Sequence, residues 1–405
     1  MLLIGTMKGA FLLHSTSART KWTLRGPFFP GQAVYAMAYD GRNGRHRLWA
    51  ATQSMHWGAV LCWSDDFGET WVVPETPTIT FPKGSDRSLR QIWQIALGNS
   101  DEPDTLYCGV EPAALFKSTD AGNTWSLVKG LADHPHAKLW QPGGGGLGLH
   151  TILPDPNDAK RVTIAISTGG VYRTSDGGRT WQARNVGVRA EFLPDKFPEF
   201  GQCVHKIVHH PSQPERMYLQ NHWGLYRSDD GGDSWHDIAN GVPSDFGFPL
   251  GIHPRDPNTA YIVPLESDAF RCVPDGKMRV YRTRNGGKQW EALTRGLPQR
   301  EAYETILRDG LSVDSLDPAG VYFGTRSGKV YGSKNEGTSW ALLADTLPPV
   351  VCVKAVVPIP AAASRSDVRS GTKHKSGTSS RKAATKRSST VRRSATRKVA
   401  ARSGR

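Results

Sequence analysis

One octapeptide recurs along this chain and constrains its fold more than any other feature. Its copies are SDDFGETW, STDAGNTW, TSDGGRTW and SDDGGDSW, and then the looser TRNGGKQW and SKNEGTSW. An Asp or Asn in third place can accept hydrogen bonds from backbone N–H groups and close a tight turn. The Gly in fifth place supplies a positive φ, and the final Trp buries a large ring. Each copy therefore predicts a turn between two strands.

The copies are spaced at a nearly constant period. Their third-place residues are Asp66, Asp120, Asp176, Asp230, Asn285 and Asn335, with gaps of 54, 56, 54, 55 and 50 residues. A period of this size with four short strands is typical of a propeller blade. The segments resemble the Asp-box, or BNR, repeats of sialidases, sortilin-type receptors and related WD40/YVTN/BNR-like propellers. The resemblance covers roughly residues 1–357 and implies an all-β propeller of four-stranded antiparallel blades.

The two ends of this region predict how the propeller closes. The opening LLIGTMKGAFLLHSTSARTKW reads as a blade that lacks its innermost strand, whereas PVVCVKAVV (Pro349–Val357) is a strand with no octapeptide after it. Pairing the N-terminal strands with this last strand gives seven blades and removes open sheet edges, which otherwise invite aggregation.

Other classes of protein are disfavoured. No segment approaches the roughly 18 consecutive apolar residues that span a bilayer, and the apolar N-terminus lacks the basic region and cleavage site of a signal peptide. The five cysteines are odd in number and widely spaced, which favours free thiols in a reducing compartment. We therefore expect a cytoplasmic protein.

Six copies of one side chain around a rim cannot converge on a substrate, so we interpret the octapeptides as structural. The expected site is the channel mouth on the opposite face. Alignment of the blades places His150, His205, Phe248 and Asp309 at one equivalent position, with Tyr35 and Gln94 as an extension. Loops and an inter-blade connection add further candidates. The predicted ligand-binding residues are Gln94, His150, His205, His222, Arg326 and Trp140.

Three functions remain open for this mouth. The first, which we favour, is a non-catalytic site for a small molecule, glycan or protein partner. The second is a glycoside hydrolase, which needs two carboxylates; the candidates are Glu111, Glu266 and Asp309. The third is a divalent metal site built on His150 and His205, since imidazole with carboxylate suits zinc, iron or manganese. Sialidase activity itself is disfavoured, because the Arg-Ile-Pro motif of that family is absent.

The chain changes character after Val357. Residues 364–405 hold fourteen Lys and Arg and one acid, a net charge of +13 out of +14 for the whole chain. A segment rich in Lys, Arg, Ser, Thr and Ala, with almost no large apolar residue, cannot bury enough surface to fold. We expect residues 358–405 to be a disordered tail that binds nucleic acid or another polyanion.

Overall fold

The computed structural model describes residues 1–358 and shows a seven-bladed β-propeller with almost no helix. The strands of the first three blades in chain order are β4 (Ala33–Asp40), β5 (Arg47–Ser54) and β6 (Gly58–Ser64); β7 (Gln91–Leu97), β8 (Leu106–Glu111), β9 (Ala114–Ser118) and β10 (Ser126–Leu127); and β11 (Leu149–Pro154), β12 (Val162–Ile166), β13 (Gly170–Thr174) and β14 (Gln182–Ala183).

The next three blades follow the same plan. Their strands are β15 (Val204–His210), β16 (Gln213–Asn221), β17 (Leu225–Ser228) and β18 (His236–Asp237); β19 (Gly247–Ile252), β20 (Ala260–Pro264), β21 (Val280–Thr283) and β22 (Glu291–Leu293); and β23 (Leu311–Val313), β24 (Val321–Gly324), β25 (Val330–Ser333) and β26 (Ala341–Ala344). Helical segments are short: α1 (Lys129–Ala132) and 3-10 turns at Arg42–Gly44, Pro135–Lys138 and Pro274–Gly276.

The seventh blade joins the two ends of the described chain, as the sequence predicts. Its strand order is β27 (Val350–Ala355), β1 (Leu2–Thr6), β2 (Gly9–His14) and β3 (Thr23–Phe28). Antiparallel pairing places Leu2 opposite Ala355 and Ile4 opposite Val353. The blade thus pairs strands that are more than 300 residues apart in the chain. This pairing closes the ring and leaves no open sheet edge between its first and last blades.

One blade departs from the four-stranded plan. The sheet β4–β5–β6 has three strands, and a single bridge between Trp63 and Val72 stands where a fourth would pair. Pro74 and Pro77 follow closely. Proline offers no N–H for a ladder, which accounts for the missing strand.

The six octapeptides form six equivalent turns. At Asp176, one carboxylate oxygen accepts from the Thr180 backbone N–H at 3.0 Å and the other accepts from its hydroxyl at 2.7 Å, while the Thr174 hydroxyl accepts from Gly178 N–H at 2.9 Å. Gly178 has a φ of +96°, and an added Cβ would lie 3.0 Å from Val128 of the preceding blade. The turns therefore also position neighbouring blades against each other.

The seven blades pack through apolar clusters between adjacent sheets. Among residues 1–358, no helix is long and apolar enough to cross a membrane. All of the predicted basic tail, residues 358–405, except Pro358 lies outside the described residues.

Candidate functional site

A cavity of about 1580 Å³ opens at the mouth of the channel. Strand pairing fixes which end of the blades it occupies. In β11–β13, Leu149 pairs with Ile166 at one end, whereas Pro154, Val162 and Thr174 lie together at the other. The octapeptide turn starts at Thr174, while Ser167 and Thr168 line the cavity. The cavity and the turns are thus on opposite faces, as expected.

A repeated β-bulge brings the central side chains to this mouth. In six innermost strands the register shifts near the mouth end, and the residues left without a partner include Tyr35, Trp93, His150, His205, Phe248 and Val351. A bulge inserts an extra residue and redirects its side chain, which is why bulges are common beside functional sites. All of these residues except His150 line the cavity.

The bulges revise the equivalent position inferred from the repeat. Tyr35, His150, His205 and Phe248 share it, but its representative in the second blade is Trp93 instead of Gln94. Gln94 accepts a hydrogen bond from Ile152 N–H at 2.8 Å and does not line the cavity. An alignment without gaps misses this shift, because the extra residue of a bulge changes which side chains face the channel.

Trp93 is held by one of the candidate catalytic residues. Its indole N–H donates to a carboxylate oxygen of Glu111 at 3.1 Å, and its ring packs edge-on against Tyr35. The guanidinium of Arg308 lies 5.2 Å from the Trp93 ring centre and 5.8 Å from that of Phe248. Glu111 does not itself line the cavity. Its geometry is that of a group that orients Trp93.

Asp309 lies at the floor of the cavity in a buried ion cluster. The ammonium groups of Lys206 and Lys354 each lie 2.8 Å from its Oδ1. Burial alone would raise the pKa of Asp309, but the two ammonium groups hold it well below its usual range. Asp309 is therefore a permanently ionised carboxylate, unsuited to act as a general acid.

Three arginines contribute guanidinium groups to the cavity: Arg271, Arg308 and Arg326. Arg308 donates to the His205 carbonyl at 3.2 Å, and Arg271 lies 5.4 Å from the Phe248 ring centre. Within residues 1–358, none of the three makes an ion pair with a carboxylate. Burial lowers the pKa of Arg308. Arg271 Nε donates to the Asp268 carbonyl at 3.1 Å, and the remaining donors of the three guanidinium groups can serve a bound molecule.

A thiol and two imidazoles meet at the cavity wall. Ligand atoms of Cys203, His205 and His222 all lie within 4.8 Å of one another, and Cys203 Sγ is 3.7 Å from His205 Nε2. Burial lowers the pKa of both histidines, so both are neutral at pH 7. His150, the other predicted metal ligand, is outside this group. Its Nε2 lies 2.9 Å from the Val204 carbonyl and its Nδ1 lies 3.0 Å from the Thr151 hydroxyl.

The remaining predicted residues divide between the cavity and its surroundings. Arg326 and His222 line the cavity. Glu266 is exposed and lies outside the lining. Trp140 is buried and does not line the cavity; its indole N–H donates to the Tyr172 hydroxyl at 2.9 Å. Cavity residues that the sequence did not predict are Cys203, which was grouped with the free thiols, and the aromatic residues Phe192 and Phe200, which lie in a long inter-blade loop outside the repeat.

No protein-family model matches this chain. A probable oligoxyloglucan-reducing end-specific xyloglucanase of Neosartorya fischeri is 24% identical over 260 residues, covering 56% of this chain and 30% of that protein. A xyloglucanase of a Paenibacillus species is 26% identical over 277 residues, covering 60% of this chain and 24% of that protein. The chain thus spans less than a third of the length of these curated relatives.

Solved structures support the architecture. The crystal structure of a Niastella koreensis GH74 enzyme superposes with a TM-score of 0.52 at 18% identity, covering 76% of this chain and 45% of that one. Identity at this level establishes a shared propeller fold and nothing finer.

Proposed function

We propose that this chain is a glycoside hydrolase-like propeller whose mouth cavity binds an oligosaccharide. The observation that carries the proposal is the cavity itself: about 1580 Å³ of space lined by aromatic rings, guanidinium groups and carboxylates. The xyloglucanase relatives point to the same class of ligand. This reading replaces the non-catalytic partner-binding propeller as the favoured function, and that earlier reading becomes the main alternative.

The lining suits a sugar because it combines flat apolar faces with hydrogen-bond donors. Trp93, Trp223 and Phe248 present rings to the cavity, and rings of this kind can stack on the apolar faces of pyranose units. Arg271, Arg308 and Arg326 add donors that can reach hydroxyl oxygens. A few directed polar groups within a largely apolar cleft are usual for ligand sites.

Hydrolysis requires two carboxylates on either side of the scissile bond, one protonated and one ionised. Four carboxylate residues line the cavity: Asp195, Glu199, Asp268 and Asp309. Asp309 is held ionised by its two lysines, which makes it a weak base, so the nucleophile is the role that it fits. We propose that the acid is one of the other three. Glu111 and Glu266 lie outside the lining and lose their place as first candidates.

Binding is tested with xyloglucan oligosaccharides and the purified full chain, measured by calorimetry. Trp93→Ala and Trp223→Ala should each weaken binding by about tenfold or more, since each removes a stacking face. Trp57→Ala is the matched control, because Trp57 is 78% exposed and does not line the cavity. If both cavity variants bind as tightly as the unmodified protein, the site is elsewhere.

Hydrolysis is tested by release of reducing ends from xyloglucan and from other β-glucans. One of the variants Asp195→Asn, Glu199→Gln and Asp268→Asn should abolish release while its melting temperature and oligosaccharide binding persist. Tight binding without any release would establish the non-catalytic alternative. Absence of both binding and release across the panel would contradict the proposal.

Three further predictions from the sequence concern the octapeptides, the cellular location and the basic tail. We propose that the six octapeptide turns are Asp-boxes, on the strength of their shared hydrogen bonds. A cytoplasmic location has no support from the relatives and stays a prediction. The role of residues 364–405 in binding polyanions is tested by DNA binding of the full chain and of a chain ending at Ala363. Salt-independent or equal affinity would count against it.

A further inference from the structure

The cluster of Cys203, His205 and His222 has the geometry of a metal site. For a tetrahedral zinc ion with Zn–S of about 2.3 Å and Zn–N of about 2.05 Å, the sulfur and nitrogen ligands are about 3.6 Å apart. The observed separation between Cys203 Sγ and His205 Nε2 is 3.7 Å. The third ligand lies within 4.8 Å of both.

The surrounding contacts match those of metal-binding histidines. Such histidines donate their second ring N–H to a carbonyl or carboxylate, which fixes the ring. His205 Nδ1 lies 2.6 Å from the Gly247 carbonyl, which leaves Nε2 facing Cys203. A carboxylate oxygen of Asp268 lies 3.4 Å from Nε2 of His222. Each imidazole therefore has an outer partner of the expected kind.

The fold explains why these three side chains meet. Cys203 and His205 flank Val204 at the bulge of β15, and Val204 pairs with Asn221 of β16. His222 follows Asn221, and its backbone N–H donates to the Cys203 carbonyl at 2.9 Å. The ligands thus come from one rigid hairpin and are preorganised by its ladder.

We propose that Cys203, His205 and His222 form a three-ligand site for a thiophilic metal ion, with zinc as the ion that best fits this ligand set. One thiolate and two imidazoles exclude magnesium and calcium, which require oxygen ligands. All three residues line the cavity, so the fourth coordination position would be open to it. Three protein ligands and one open position are typical of catalytic zinc sites, whereas structural zinc sites have four protein ligands.

The test uses the full chain without an affinity tag, stripped of metal by a chelator. Zn²⁺ binding by calorimetry should show one site, and Co²⁺ should give a thiolate-to-cobalt charge-transfer absorption in the near ultraviolet. Cys203→Ser should remove that absorption, His222→Ala should weaken Zn²⁺ binding at least tenfold, and Asp268→Asn should weaken it by about 10–100-fold. This proposal is independent of oligosaccharide binding, since every readout is metal binding.

Two controls keep the outcome decisive. Cys272→Ser changes another partly accessible thiol outside the cluster and should leave the cobalt spectrum intact. His56→Ala does the same for an exposed imidazole. If Cys203→Ser fails to fold, His222→Gln replaces it. Absence of one-to-one Zn²⁺ binding, or binding unchanged in folded Cys203 and His222 variants, would overturn the assignment.

Discussion

The two faces of this propeller use the same repeat in opposite ways. On one face, six octapeptide turns repeat a single hydrogen-bond pattern almost without variation. On the other, six innermost strands share a bulge, yet its redirected side chains are almost all different: Tyr35, Trp93, His150, His205, Phe248 and Val351. The backbone is repeated on both faces, but the chemistry is repeated on only one.

This contrast separates fold from site. A turn that closes a blade must meet one geometric demand, so Asp or Asn and Gly recur wherever that demand recurs. A cavity that binds one ligand needs different groups around its rim, because a ligand presents a different group to each blade. Repetition therefore marks the structural face, and divergence at an equivalent backbone position marks the face with the candidate site.

The largest effect is expected from opening the ring. Deletion of residues 1–26 removes β1 and β2 and most of β3, which leaves β27 without its partner and exposes edges on the neighbouring blades. The protein should be insoluble or should lose its cooperative thermal transition, as measured by circular dichroism. The control is a chain ending at Ala363, which keeps every described strand and should melt like the full chain. A soluble, cooperatively folded deletion variant would contradict closure by the two ends.

Asp309 lies at the mouth, yet we expect it to contribute strongly to the stability of the fold. Asp309→Asn leaves the buried ammonium group of Lys206 and the partly exposed one of Lys354 without their counter-ion, and loss of one partner of a buried pair such as Lys206–Asp309 costs about 3–5 kcal/mol. Chemical denaturation of Asp309→Asn and of the exposed Asp195→Asn would measure the difference. A combined Lys206→Met, Asp309→Leu, Lys354→Met variant should recover much of the stability. Equal stability of the two Asn variants would show that the ion cluster is dispensable.

A pair of tryptophans compares the two faces directly. Trp181, in an octapeptide, is 5% exposed within an inter-blade core, and Trp181→Ala should destabilise the protein by about 3–5 kcal/mol. Trp93 faces the cavity on one side, so Trp93→Ala should cost only about 1–2 kcal/mol while it weakens ligand binding. Denaturation curves for both variants check this order. The reverse order would mean that the residues of the mouth contribute more to the stability of the fold than the octapeptide turns do.

The turn face could be predicted from the sequence because its rules are local. The positive φ of Gly178 and the acceptor at Asp176 act within eight residues, so their signature survives in the residue pattern. Closure of the ring could also be predicted from the sequence, since Pro349–Val357 was the only predicted strand that belonged to no other blade. The absent fourth strand after β6 was not predicted, because it depends on Pro74 and Pro77 beyond the repeat.

The mouth was predictable in position but not in detail. His205, His222, Arg326 and Asp309 were placed there correctly by the repeat, as their presence in the lining shows. In the second blade Gln94 was predicted, one residue beyond Trp93, because a bulge leaves no mark in the sequence. The proximity of Cys203 and His222 depends on hairpin register, although the Cys-x-His spacing at a strand start was a signal that could have suggested it.

The smallest effect is expected from replacing Asp by Asn in third place of an octapeptide, since both residues already occur there. Burial acts to raise the pKa of Asp230, but hydrogen bonds from Ser234 and Ser228 outweigh it and lower the pKa to about 2. A native pKa below the ordinary value of about 3.9 stabilises the fold above pH 4, and this contribution is lost as pH falls through about 2. Asn285 accepts the equivalent backbone hydrogen bond at 2.9 Å, so Asp230→Asn keeps the turn and should lower the melting temperature only slightly at pH 7. That deficit should shrink between pH 4 and pH 2, whereas the penalty of Asn285→Ala, which removes no titrating group, should stay constant. A deficit for Asp230→Asn that does not vary with pH would mean that the charge of the carboxylate plays no part, and that Asp and Asn close these turns by hydrogen-bond geometry alone.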